Sequence, residues 1–99
     1  KEFPTFKNVE EGSQCVVVSR IVDIKRKKDR KGKAFCYIDL FTVDGIIEAI
    51  CWNSSFSKYQ DLIKKGGHVA ILGNKKEDKL IVGKIKDLEQ WMIDTGISL

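Results

Sequence analysis

The nine residues Lys25 to Lys33 read KRKKDRKGK. They hold Lys25, Arg26, Lys27, Lys28, Arg30, Lys31 and Lys33 against a single acid, Asp29. That is +6 in nine residues of a chain whose formal charge is +4, so the remainder carries −2. Lysine and arginine at this density neutralise phosphates and release condensed counterions, an attraction blind to base sequence. A concentrated cationic segment on a neutral-to-acidic body is the footprint of a polyanion partner. Immediately afterwards Phe35 and Tyr37 alternate with Cys36, Ile38 and Leu40. If the latter three fill a core, both rings point outward. Exposed rings flanked by cations offer unstacked bases a platform worth ~1–3 kcal/mol per base. Asp39 falls on the ring side and, further along, so does Phe41. Burying a lone carboxylate is costly, which favours that side as the wet one.

Other charged residues extend the candidate set. Lys75 and Lys76, with Lys79 and Lys84 near them, could clamp the far side of a bound strand by charge, diluted by Glu77 and Asp78. Arg20 could stack or pair with a phosphate. Nothing points to catalysis: no nucleophile–base set, phosphate loop or metal-ligand cluster is present, so no catalytic residue, metal or cofactor is expected. His68 stands without a Ser, Cys or Asp motif, and Asp23, Asp39 and Glu48 are scattered. Cys15, Cys36 and Cys51 match no C-x-x-C spacing and sit among apolar residues, as core cysteines do. Reduced thiols fit a cytoplasmic setting. No apolar run approaches the ~20 residues that span a bilayer, and no signal-peptide pattern opens the chain. A cytoplasmic protein with no membrane partner is expected. The chain opens on Lys1 rather than Met, which reads as a piece of a longer protein.

The elements that must position these residues follow from the hydrophobic pattern. With 99 residues there is room for one domain. Residues 1–13 form a lead-in with Phe3 and Phe6 as anchors. Residues 14–87 form the folded domain, and residues 88–99 a tail, either a short helix or an extended segment packing Trp91. The β-branched run from Cys15 to Lys25 predicts a long strand, with the basic run as the loop after it. Ala34 to Thr42 predicts a second strand and Ile46 to Trp52 a third, joined at Asp44-Gly45. An N-cap within Asn53, Ser54 and Ser55 is expected to start a helix running to about Lys65 and stopped by Gly66-Gly67, with Trp52, Phe56 and Tyr59 as a core plug. His68 to Gly73 and Leu80 to Ile85 complete the strands, with NKKEDK (Asn74 to Lys79) a polar turn. The order β-β-β-α-β-β predicts an all-β domain with one helix, a five-stranded OB-fold Greek-key barrel. That fold binds oligonucleotides on one face, framed by the loops joining strands one to two and four to five. The basic run and NKKEDK fall in those two loops.

A further set of features lies between Arg20 and Val82. Gly32-Lys33 ends the Lys-rich turn, Phe35 and Tyr37 lie in the next strand, and Asp44-Gly45 makes the turn. Glu48 comes early in an apolar strand ending on Trp52, Tyr59 lies in the helix, and Gly66-Gly67 precede Val69 to Gly73. On these residues the chain resembles the OB domain of the bacterial replicative DNA polymerase III alpha subunit. It departs from that pattern where Phe41-Thr42 follow Leu40 and where Asn53 follows Trp52. The resemblance implies a non-catalytic domain that contacts template single strand, with catalysis elsewhere in a DNA-directed DNA polymerase. Its implied partners are single-stranded DNA, with RNA as the alternative, and other domains or subunits of a replication complex. The same pattern recurs in the anticodon-binding OB domains of class II aminoacyl-tRNA synthetases. A third expectation is an OB domain whose aromatic face docks a protein.

Overall fold

β-Branched and aromatic runs separated by turn residues fold here into five strands. The computed structural model describes residues 5–97. Its strands are β1 (Gln14–Lys28), β2 (Ala34–Thr42), β3 (Gly45–Cys51), β4 (His68–Lys76) and β5 (Lys79–Asp87). Helix α1 (Asn53–Tyr59) lies between β3 and β4, and helix α2 (Leu88–Thr95) follows β5. The strands close into a barrel in the order β1-β2-β3-β5-β4. The expected order β-β-β-α-β-β and the five-stranded barrel are both observed.

Closure depends on β1 serving two partners. Its first half pairs antiparallel with β4, from Gln14 opposite Asn74 to Arg20 opposite His68. Its second half pairs with β2, from Arg20 opposite Phe41 to Lys28 opposite Ala34, with a register shift between Ile21 and Asp23. At that shift Ile21 donates to the Gly67 carbonyl (2.9 Å) and accepts from the Gly66 N–H (2.7 Å), so its own backbone groups stay paired where β1 changes partner. A short parallel contact, Ala49 opposite Leu80 and Ile50 opposite Ile81, seals the other side. Ile21, Ile38, Leu40 and Ile71 are fully buried at the centre.

Several boundaries differ from the expectation. The stretch Lys25 to Lys28 is not loop: it continues β1, because β2 supplies a ladder partner and an edge strand accepts lysines readily. Only residues 29–33 turn. NKKEDK is likewise mostly strand, with a two-residue turn at Glu77 and Asp78, both at positive φ (51° and 63°). The helix expected to run to Lys65 ends at Tyr59, followed by a 3-10 turn, Gln60–Leu62. Asn53 does not cap it. Its side chain instead donates to the Ala34 carbonyl (2.9 Å), tying the helix start to β2. The tail forms α2: Asp87 accepts from the Gln90 N–H (3.4 Å), Trp91 is buried, and Gly96 ends the helix in the left-handed conformation at φ +68°. In the lead-in Phe6 is buried in the core, whereas Phe3 lies outside the described residues.

Candidate functional site

The tip of the β1–β2 hairpin is a built turn. Asp29 Oδ1 accepts from the N–H groups of Lys31 and Lys33 (2.9 Å each), and the Asp29 N–H donates to the Lys33 carbonyl (2.9 Å). Gly32 takes φ +79°, which a side chain would resist, and its N–H donates to the Asp29 carbonyl (3.0 Å). The one acid of the basic run is therefore occupied in holding the turn that presents Arg30, Lys31 and Lys33. None of the seven cations of Lys25–Lys33 has an ion-pair partner among the described residues.

Pairing register then sorts the rest of the hairpin by face, because residues opposite each other in an antiparallel ladder share a side. Lys27 lies opposite Phe35 and Lys25 opposite Tyr37, so these two lysines share the outer face with the rings. Arg26 lies opposite Cys36 and Lys28 opposite Ala34, on the other side. The β2–β3 register continues the outer rows: Tyr37 opposite Ile50, Asp39 opposite Glu48, Phe41 opposite Ile46.

Phe35 and Tyr37 do lie outside the barrel, since Cys36, Ile38 and Leu40 beneath them are completely buried. Phe35 nevertheless is not an open stacking surface, being only 8 % exposed. Trp52 leans over it with ring centroids 4.9 Å apart and planes 31° from parallel, and Tyr37 meets its edge at 5.7 Å. Of these three rings Trp52 is the exposed one, at 46 %. Trp52 is thus no part of the core plug. Phe56 and Tyr59, half-buried, pack against the core as that reading required. The signal for Trp52 was available: one more step along the β2–β3 register past Cys36–Cys51 sets Trp52 beside Phe35 on the outer face.

Next along the face comes an acidic row. Asp23 is opposite Asp39, and Asp39 is opposite Glu48. Lys65 approaches Asp23 (3.9 Å) and Lys79 approaches Glu48 (3.4 Å). Among the described residues no three His, Cys, Asp or Glu converge as a metal site needs. Beyond the row Arg20 sits over the Phe41 ring, 5.9 Å from its centroid, separated from the basic hairpin. The face therefore has a cationic, aromatic end and an acidic border.

Lys75 does not belong to it. It is 7 % exposed, and its Nζ donates to the carbonyls of Phe6 (2.9 Å) and Lys7 (3.2 Å) while lying 4.9 Å from the centre of the Phe6 ring. It latches the N-terminal segment to β4, and a lysine so placed offers no charge to a ligand. Lys76, one residue on, is exposed, as is Lys84 in β5. Beneath the rings Cys36 and Cys51 face each other across β2 and β3, both fully buried. The Cys51 thiol donates to the Cys36 sulfur, which lowers Cys36 and, with burial, raises Cys51. Cys15 is half-buried, its thiol pushed up by burial and eased by the Lys75 charge.

Solved structures that share this fold include the following two. The mitochondrial single-stranded DNA binding protein Rim1 of S. cerevisiae superposes with a TM-score of 0.63 at 15 % identity, over 80 % of this chain and 97 % of that one. A ZRD-deleted mutant of TiaS, crystallised with agmatine, gives 0.61 at 17 % identity, over 81 % of this chain and 22 % of that one. No curated protein sequence matches the chain. The tRNA anti-codon family model, described as an OB-fold nucleic acid binding domain, matches residues 15–88. With its barrel, strand order and most of its length accounted for, the chain belongs to that family of OB-fold nucleic acid binding domains.

Proposed function

We propose that this chain is a non-catalytic module that holds single-stranded DNA across the outer face of β1, β2 and β3. The observation that carries the reading is the ladder register: Lys25 and Lys27 stand on the same face as Tyr37, Phe35 and, beside it, the exposed Trp52. Backbone charge and a base-sized ring surface are held together, the combination that sequence-tolerant single-strand binding uses. The turn at residues 29–33 extends the cationic edge, and the acidic row Asp23–Asp39–Glu48 bounds it, since phosphates are repelled there. Within this reading Lys25, Lys27, Arg30, Lys31 and Lys33 neutralise phosphates, and Trp52 and Tyr37 stack bases over the Phe35 support.

The resemblance between Arg20 and Val82 supports the finer assignment to a replicative DNA polymerase III alpha subunit, working in the cytoplasm beside a catalytic domain. A second nucleic-acid reading, an anticodon-binding domain of a class II aminoacyl-tRNA synthetase, is favoured by the name of the matching family model. A protein-docking reading has the exposed Phe41, Val43 and Ile46 in its favour.

The test uses Trp52 as reporter in a Trp91→Phe background. Titration with oligothymidylate is expected to quench the tryptophan emission saturably, more tightly than an anticodon stem-loop does. Tighter binding of the stem-loop would transfer the assignment to the synthetase reading, and absence of quenching by both at low salt would leave the docking reading.

A further inference from the structure

The hairpin carries charge on both of its faces, and the ring face uses only one. Arg26 and Lys28 are exposed, unpaired among the described residues, and directed away from Lys25, Lys27 and the rings by the alternation of β1. A single strand lying on Trp52 and Tyr37 cannot reach them without wrapping round the ribbon. From these positions we infer that the hairpin also engages duplex DNA adjoining the bound single strand, so that the preferred ligand is a single-strand/duplex junction. This inference rests on the reading above and deepens it.

The dimensions agree. β2 pairs with β3 only as far as Cys36, and beyond it Trp52 still leans on Phe35 and Asn53 still holds the Ala34 carbonyl, so the part of the ribbon that projects free of the barrel is the turn at 29–33, with Arg26 and Lys28 at its root. At ~3.4 Å per residue that tip projects about 7 Å past the Lys28–Ala34 row. The major groove of B-form DNA is about 12 Å wide and 8.5 Å deep and admits a two-stranded ribbon. A ribbon lying in that groove has a phosphate backbone on each side, and cations on both faces with more at the tip match two backbones where one would leave half of them idle. Groove shape favours DNA over RNA, because the major groove of A-form RNA is deep and too narrow for side chains to read. The turn is fixed by Asp29 before any ligand arrives, so little ordering cost falls on binding.

The experiment compares a labelled DNA single strand with the same strand extended at either end by a hairpin duplex, in anisotropy titrations over a salt series. The wild-type chain is expected to hold one of the two junctions about tenfold tighter than the single strand, with a salt slope steeper by roughly two, as two further duplex phosphates require. In an Arg26→Ala/Lys28→Ala variant the ratio of junction to single-strand affinity falls toward one, whereas Lys25→Ala/Lys27→Ala weakens both ligands together. The RNA counterpart of the junction gains nothing over its own single strand. Equal affinity of wild type for single strand and both junctions, or a junction advantage that survives in Arg26→Ala/Lys28→Ala, overturns the inference while single-strand binding still stands. If neither ligand binds, the underlying reading fails with it.

Discussion

Asp29 is the one acid among seven cations, and by charge alone its removal should tighten the hold on any polyanion. Its carboxylate instead receives two backbone N–H groups that shape the turn. Asp29→Ala is therefore expected to weaken oligonucleotide binding several-fold despite the gained charge. Asp29→Asn, which keeps an acceptor oxygen, is expected to bind at least as well as wild type. Tighter binding by the alanine variant would show that the turn's shape is irrelevant. Trp52→Ala should cost ~1–3 kcal/mol of binding, the range for losing one stacked base, and a calorimetric titration reads it. Lys75→Met should leave binding alone but cost about 2 kcal/mol of stability in a urea melt, because it removes hydrogen bonds from a charged donor to two carbonyls. The seven cations and the outward side of Phe35 and Tyr37 were legible from composition and alternation. The role of Lys75 was not, because its burial is set by Phe6, sixty-nine residues away in sequence.

Strand order was readable because turn residues and β-branched runs are local signals. Strand length was not, because length depends on whether a partner strand is present. Lys25 to Lys28 look like loop until β2 is laid beside them. The shortened helix follows the same logic: Asn53 has the composition of a cap, but the Ala34 carbonyl takes its amide. The β4–β5 hairpin offers two tests. Glu77 and Asp78 occupy left-handed backbone that suits Asn-Gly, so Glu77→Asn/Asp78→Gly should raise stability by about 1 kcal/mol by thermal melt. Gly73 sits at the register shift of β4, where an added Cβ would run into the Ile81 carbonyl oxygen. Gly73→Ala should lower stability by roughly 1–3 kcal/mol, as overpacking at an unyielding backbone does. An unchanged melting temperature in the alanine variant would mean that the β4–β5 pairing opens easily.

At the scale of the whole molecule, a closed barrel leaves much of its ring face exposed, with Phe35 and Ile50 as the buried exceptions. The barrel interior holds the fold, while the outer rows of β1, β2 and β3 are open to specialise. Charge follows the same division, with +6 in the hairpin and −2 spread over the rest. The central claim is that the hairpin's cations and the rings act on one strand together. The most direct measurement is the anisotropy of a labelled DNA single strand over a salt series, for wild type and for Lys25→Ala/Lys27→Ala/Arg30→Ala/Lys31→Ala. The wild-type slope of log affinity against log salt is expected to be negative and steep, and the variant's shallower by about 0.7 for each phosphate left without its cation. An identical slope in the two proteins would contradict the account, because the hairpin would then contribute nothing to holding the strand.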